Sequence, residues 1–383
     1  MKRIPNFVML SIVAAFFVGC NGGGGGKSES PKTPSVTAVP MPDQPAKPAG
    51  PAPAFSLATS EYPSWSTFMV AEKAGLINGK KGKLGPLEEK YNVDIVLEVK
   101  DYDPCLAMYG NGAADAVCMT NQDALNPSLG RPTTVIGPTS TSVGADKVIA
   151  VGYTTLADMK GVKTYGLDKS VSRYSHYREI KSAGLNPADY PFENLDPAAA
   201  ATALQSGTGD IKSICVWNPF ALQTLRTNPN SKTIVDSSSI PEEIIDCICI
   251  GNDSLKKEGG ERFATCVCDV YYQVCNMLNN SDKTVADRAL TALGEDFSKL
   301  PLDDMRIVVK ETRFYDSPEK GIALFSSDKF KETMKTVVTT CQEIEILEKG
   351  KTPPTIGYND DTQQLNFSTK YMEAVSSPKV AGK

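Results

Sequence analysis

The sequence predicts a two-lobe α/β protein with parallel-rich sheets flanked by helices and a mostly helical C-terminal part. Three observations predict it. Short strands and helices alternate through most of the chain, two such sets follow one another, and after Ile250 the pattern turns helical. Alternation of this kind implies parallel sheets covered by helices. The segment from Phe55 to Lys383 holds about 330 residues, more than one hydrophobic core usually serves, which calls for two lobes.

The chain begins with Lys2 and Arg3, followed by an apolar run from Phe7 to Val18 that closes on Gly19-Cys20. A permanent membrane helix takes about 20 apolar residues, and this run is shorter. A charged start and a short apolar middle are the pattern of a secretory signal peptide. Phe17-Val18-Gly19-Cys20 resembles a bacterial lipobox, in which Cys20 carries the lipid, although Phe17 stands where Leu is usual; an ordinary cleaved leader is the alternative. Gly22 to Gly26 is five glycines, and Ser28 to Pro53 is rich in Pro, Ala, Ser and Lys with almost nothing apolar. Such a stretch is expected to act as a disordered tether.

The body then reads element by element. Phe55 to Ala58 is an expected strand, Ser60 to Ser66 a loop and Thr67 to Gly75 a helix. Val93 to Val99 and Ala116 to Met119 are strands separated by a helix at Pro104 to Gly110. Thr133 to Ile136 and Lys147 to Val151 complete the first set. The second holds strand Lys163 to Leu167, helices Arg173 to Ala183 and Ala198 to Ser206, strand Ser213 to Trp217 and helix Phe220 to Arg226. Arg262 to Leu278, Lys283 to Leu300 and Ser327 to Leu347 are the clearest helices of the remainder.

Hydrophobic content of 41%, charged content of 22% and a formal net charge of −5 describe a globular protein with no nucleic-acid-binding surface. There are ten cysteines. With Cys20 set aside the number is odd, so they cannot all pair internally. Cys247-Ile248-Cys249 lies in an apolar strand-like run, and Cys266, Cys268 and Cys275 lie in a helical pattern. One or two disulfides, a metal site and buried free thiols are the alternatives; typical structural zinc sites use wider spacing than Cys-x-Cys. The single histidine, His176, lies in a helical pattern without a nucleophile elbow, so a Ser-His-Asp site has no support. Neither a phosphate-binding loop nor a dinucleotide fingerprint is present, and no cofactor is implied.

Several segments resemble one family. Glu61-Tyr62-Pro63-Ser64-Trp65 and Val70-Ala71-Glu72-Lys73-Ala74-Gly75-Leu76 are similar to the start of substrate-binding proteins of nitrate, sulfonate and taurine ABC importers. Thr120-Asn121-Gln122-Asp123-Ala124-Leu125, Ser170-Val171-Ser172-Arg173-Tyr174, Val216-Trp217-Asn218-Pro219 and the stretch Asp236 to Asp246 resemble the urea-carboxylase-associated branch, linked to guanidine or urea uptake. The resemblance implies a type 2 periplasmic binding protein that closes on a ligand by hinge motion. It implies residues 1–20 as leader, 21–54 as tether, 55–150 and 240–383 as the two parts of lobe one and 151–239 as lobe two. The crossings would fall near Val148 to Tyr153 and Ile234 to Ile245. It implies a monomer that meets a small solute and an ABC permease, held to a membrane through Cys20. One departure bears on the ligand: Thr139 to Asp146 is rich in hydroxyls where the branch is acidic and amide-rich.

The candidate ligand-binding residues are Glu61, Tyr62, Trp65, Asn121, Asp123, Ser170, Ser172, Arg173, Trp217 and Asn218. Trp65 and Trp217 would offer flat faces to a small ligand or a cation, with Tyr62 beside them. Asp123 is the preferred charge partner, with helix capping as its structural alternative; Thr120 and Asn121 beside it are ligand groups or turn formers. Glu61 and Asp146 add to the argument for a cation. Ser170, Ser172 and Arg173, at a helix start, argue for an anion such as sulfonate or nitrate. Transport, ligand sensing and, distantly, pyrimidine-synthase-like chemistry are the competing functions.

Overall fold

The computed structural model describes residues 50–207, 210–295 and 298–376. The leader, Cys20 and most of the expected tether lie outside them. Among the described residues no helix is long and apolar enough to cross a membrane.

The first stretch of chain forms β1 (Ala54–Thr59), α1 (Thr67–Lys73), α2 (Pro86–Tyr91), β2 (Asp94–Val99), α3 (Tyr102–Gly110), β3 (Ala116–Thr120), α4 (Leu125–Gly130) and β4 (Thr133–Ser142). The second forms β5 (Asp146–Val151), β6 (Thr164–Gly166), α5 (Val171–Ser182), β7 (Phe192–Asn194), α6 (Pro197–Ser206), β8 (Ser213–Trp217), α7 (Phe220–Thr227) and β9 (Ser231–Asp236). The third forms β10 (Ile245–Gly251), α8 (Asn252–Leu255), α9 (Gly260–Leu278), α10 (Lys283–Glu295), α11 (Leu302–Glu311), β11 (Thr312–Phe314), α12 (Pro318–Ser326), α13 (Asp328–Glu343), β12 (Ile356–Tyr358), β13 (Leu365–Phe367) and α14 (Lys370–Ser376).

These strands make two sheets. One runs β12-β13-β4-β10-β3-β1-β2, with β11 added beside β4; the other runs β7-β6-β8-β5-β9. In the larger sheet β1 is parallel to β2 and β3, and β13 is parallel to β4, whereas β10 lies antiparallel between β3 and β4. In the smaller sheet β6 is parallel to β7 and β8, and β5 lies antiparallel between β8 and β9. In the larger sheet β10 and the short β11 run against the common direction, and in the smaller sheet β5 does. β10 is buried along all its length, which is why Ile245 to Gly251 reads as a continuous apolar run rather than an alternating one.

The chain passes from the larger to the smaller sheet at residues 143–145 and returns at 237–244. Gly144 sits at the first passage with φ +94°, a left-handed conformation that an L side chain would strain. β5, which the sequence reading divided from the second lobe, pairs with β8 and β9 instead. The reading also ended β4 at Ile136. The strand continues to Ser142 because the hydroxyls of Thr139 to Ser142 bond inside the protein rather than to water, so a stretch with loop composition remains strand. The elements beyond the expected ones are α2, α4, β7, β9, α8, α11, α12, α14 and β11 to β13; the three C-terminal strands are only three residues long each, too short for a periodic signal.

The large core joins both faces of the first sheet with α9, and extends through Val171, Tyr174 and Trp217 of the second. The smaller sheet has a separate cluster on each face. Val148, Ile180 and Cys215 pack on one, while Ile149, Ala200, Leu204, Ile214 and Val216 pack on the other. The split follows the two-residue period of β5 and β8.

Cys105, Cys118, Cys215, Cys247, Cys249, Cys266, Cys268, Cys275 and Cys341 are all free and buried, and no group of His, Cys, Asp or Glu among the described residues is arranged to hold a metal ion. Burial pushes the Cys105 thiol up to about 11 and that of Cys275 up to about 12, so neither is a thiolate at neutral pH. We expect a thiol-modifying reagent to leave these nine cysteines unreacted in the native protein and to modify all nine in denaturant. Fast native labelling of any one would contradict the packing described here.

A buried acidic cavity between the sheets

The site is built from loops at the ends of strands that point toward the gap between the two sheets, where open α/β folds collect ligands. After β1 the chain turns through Tyr62 and Trp65. Tyr102 opens α3, Thr120 ends β3, and Trp217 ends β8. Asp146 is the first residue of β5, and Asp246 lies near the start of β10. Tyr62, Trp65, Tyr102, Thr120, Asp146, Val171, Trp217, Ile244 and Asp246 line one cavity of about 10 Å³. That is room for about one water-sized centre.

The walls are aromatic. Trp65 stacks on Tyr102 with ring centroids 5.2 Å apart and 20° between planes. Tyr62 leans on Trp65 at 4.9 Å, and Trp217 meets Tyr102 edge-on at 5.7 Å. The chain of rings thus reaches from the larger sheet to the smaller one. The indole nitrogens Trp65 Nε1 and Trp217 Nε1 are buried without hydrogen-bond partners, although buried Trp ordinarily finds one.

The polar part is acidic. Asp246 comes from the larger sheet and Asp146 from the smaller, and both are buried. No Lys, Arg or His is among the lining residues. Ser140 Oγ donates to Asp246 at 2.5 Å. Burial, followed by repulsion from Asp146, holds the Asp246 carboxyl well above the usual carboxylate range. Burial pushes Asp146 up to about 6; Ser142 and Lys147 oppose the rise and Asp123 adds to it. The Lys147 side chain itself turns away, to Glu311 at 2.9 Å.

The hydroxyl-rich passage supports these acids. Ser64 links to Thr139 at 2.9 Å and to Ser140 at 2.8 Å, Thr141 Oγ1 donates to the Ile244 carbonyl at 2.9 Å, and Ser142 and Ser237 are 2.6 Å apart. Both passages between the sheets are therefore fixed to one another by hydroxyls.

In comparisons with solved structures, the chain resembles the alkanesulfonate-binding protein SsuA from Xanthomonas axonopodis pv. citri bound to MOPS, with a TM-score of 0.61 at 15% identity over 79% of this chain and 96% of that one. It resembles the ligand-binding component of an ABC-type import system from Staphylococcus aureus with zinc bound, with a TM-score of 0.61 at 14% identity over 85% of this chain and 100% of that one. The periplasmic nitrate-binding protein NrtA from Synechocystis PCC 6803 gives a TM-score of 0.54 at 11% identity over 78% of this chain and 83% of that one. The chain has the periplasmic binding-protein fold. No protein-family model and no curated protein sequence matches it.

Within this binding-protein fold the expected site residues separate into four groups. Tyr62, Trp65 and Trp217 line the cavity. Asp123 and Ser170 stand one layer behind it: Asp123 Oδ2 accepts from Tyr102 Oη at 2.7 Å, from Thr120 Oγ1 at 2.9 Å and from Ser170 Oγ at 2.9 Å. Asp123 therefore ties the start of α5 to the larger sheet. Its carboxyl is pushed up to about 6 by burial, with those three hydroxyls and the Val171 amide opposing the rise. Glu61 borders a neighbouring chamber instead.

The others point elsewhere. Asn121 donates to the Glu243 carbonyl at 3.1 Å and accepts from the Ile245 amide at 3.0 Å, holding the return passage. Asn218 donates to Glu311 at 2.7 Å and caps the first turn of α7 through the Leu222 amide. Ser172 is buried with an unpartnered hydroxyl but does not line the cavity. Arg173 lies over the Phe192 ring, 5.2 Å from its centroid, on the edge strand of the smaller sheet. His176 is buried against the same ring at 5.1 Å, and burial presses its pKa down to about 3.

Sequence reasoning passed over Tyr102 and Asp246. Asp246 carried a signal, a lone charge inside an apolar run that must be buried on both faces. Tyr102, between Asp101 and Asp103, has the look of a solvated loop and carried none.

Asp146 has a folded pKa above its ordinary value of 3.8. Its contribution to the stability of the ligand-free protein is thus fully present below that value and is lost as pH rises through about 6. Asp146→Asn should match the parent near pH 4 and become the more stable of the two by about 2 kcal/mol toward pH 8. Chemical denaturation of both proteins across that range checks it, and a pH-independent difference would contradict it.

Proposed function

We propose that this protein is an extracytoplasmic solute receptor that captures a small nitrogen-containing cation of the guanidine type and hands it to an ABC permease. One observation carries the reading: Asp146 and Asp246 meet from opposite sheets in an aromatic-walled cavity lined by no cationic side chain. A cation between them would replace repulsion by attraction, and only with the sheets together. Ligand affinity and lobe closure would then be one equilibrium. Aromatic faces favour the same charge sign.

The fold supports the receptor part, since the neighbours described above include a component of an ABC-type import system. The leader pattern supports work outside the cytoplasmic membrane, with Cys20 as the lipid anchor and the Gly/Pro-rich stretch as its tether. Those neighbours also include alkanesulfonate- and nitrate-binding proteins. An anion in this cavity would face two carboxylates, while the arginine expected to greet it, Arg173, packs on Phe192. The cation is therefore the better-supported ligand.

Calorimetric titration with guanidinium, urea, taurine, an alkanesulfonate and nitrate tests the reading. Guanidinium should bind, and urea, of similar shape without the charge, should bind far more weakly. Affinity for guanidinium should rise as pH increases through about 6, because Asp146 must give up its proton to bind a cation. Asp246→Asn should weaken binding by about tenfold or more, the weight of one charge-assisted hydrogen bond. Binding of an anion alone would overturn the assignment of ligand charge and leave the receptor fold in place.

A further inference from the structure

A second chamber adjoins the acidic cavity and shares two of its walls. It has a volume of about 310 Å³, and Tyr102 and Trp217 line both spaces. Four carboxylate residues, Glu61, Asp101, Asp103 and Asp196, border it, and Phe220 continues its aromatic floor. Lys100 is the only basic residue around it and stands 3.6 Å from Glu98. Asp196 is partly engaged, accepting from the Ala199 amide at 3.0 Å.

Two buried side chains mark it as more than a solvated acidic rim. Ser60 is 3% exposed and Trp217 is 4% exposed; both border the chamber, and Ser60 Oγ and Trp217 Nε1 have no hydrogen-bond partner. Glu61 Oε1 is likewise buried and unpartnered. Burial pushes the Glu61 carboxyl up to about 8, so it gives up its proton readily only when a cation comes to meet it. Aromatic walls, unpaired buried polar groups and a buried acid that a cation would ionise fit an organic cation with an apolar stem.

We propose that the chamber is a second subsite and that the ligand is an elongated dication, an aminoalkylguanidine or a diamine. Resting on the reading above, one cationic head enters the small cavity between Asp146 and Asp246. An apolar arm crosses the Tyr102–Trp217 ring pair, and the second head meets Glu61. The size contrast supports this order: the outer space, at about 310 Å³, has room for a chain, whereas the inner one, at about 10 Å³, must widen to take even the cationic head.

Calorimetry of the full protein with guanidinium, butylguanidinium and agmatine separates the claims. Agmatine should bind at least about tenfold more tightly than guanidinium, as expected for one added charge-assisted contact, and more tightly than butylguanidinium. Glu61→Gln should bring the agmatine-to-guanidinium ratio toward one. Equal affinities for the three, or a ratio that Glu61→Gln leaves unchanged, would overturn the second subsite while leaving the guanidinium reading standing. Butylguanidinium binding as tightly as agmatine would overturn the second charge. Absence of binding by all three cations would overturn both readings.

Discussion

Two buried carboxyl groups brought to one cavity from different sheets organise this molecule. Asp146 and Asp246 begin strands in different sheets, and each strand runs against its neighbours. A reversed strand presents its first residues at the same end where the parallel strands present their last, so both aspartates arrive beside Trp65, Thr120 and Trp217. Burying two carboxylates without a counter-charge is costly. The protein offsets part of that cost with the hydroxyls of Ser140 and Ser142 and leaves the rest outstanding.

What holds the sheets together against this repulsion lies around the cavity rather than in it. Asp123 accepts from hydroxyls on both sides of the gap. Arg178 of α5 grips Glu243 of the return passage with two bonds of 2.7 Å, and Tyr174 adds a third at 3.0 Å. Farther out, Lys181 meets Glu343 and Arg226 meets Asp304. These outer pairs are half exposed and worth little individually; the Arg178–Glu243 fork is better sheltered and geometrically stronger. The arrangement is thus a balance between an acidic centre and an attractive rim.

The division into two α/β sets was legible because strand and helix periods differ and because apolar runs such as Ile245 to Ile250 admit few other readings. Tyr62, Trp65 and Trp217 were legible as wall residues because large aromatics directly after strands have few places to go. Thr139 to Ser142 misled because composition alone does not reveal that every hydroxyl finds a partner inside. Asp123 shows the deeper limit. Its neighbours in sequence permit a helix cap or a ligand contact, and what decides its role is Ser170, 47 residues away. Arg173 was misleading for a similar reason, since the ring that receives it, Phe192, lies on an edge strand without a periodic signal.

The aromatic wall has an optical consequence. The chain contains two tryptophans, and both stand in that wall with buried, unpartnered indole nitrogens. All indole emission of this protein therefore originates at the gap between the sheets, with no background from elsewhere in the fold. Any change that parts the sheets would bring water to both indoles at once, so the emission of this protein reports on that gap.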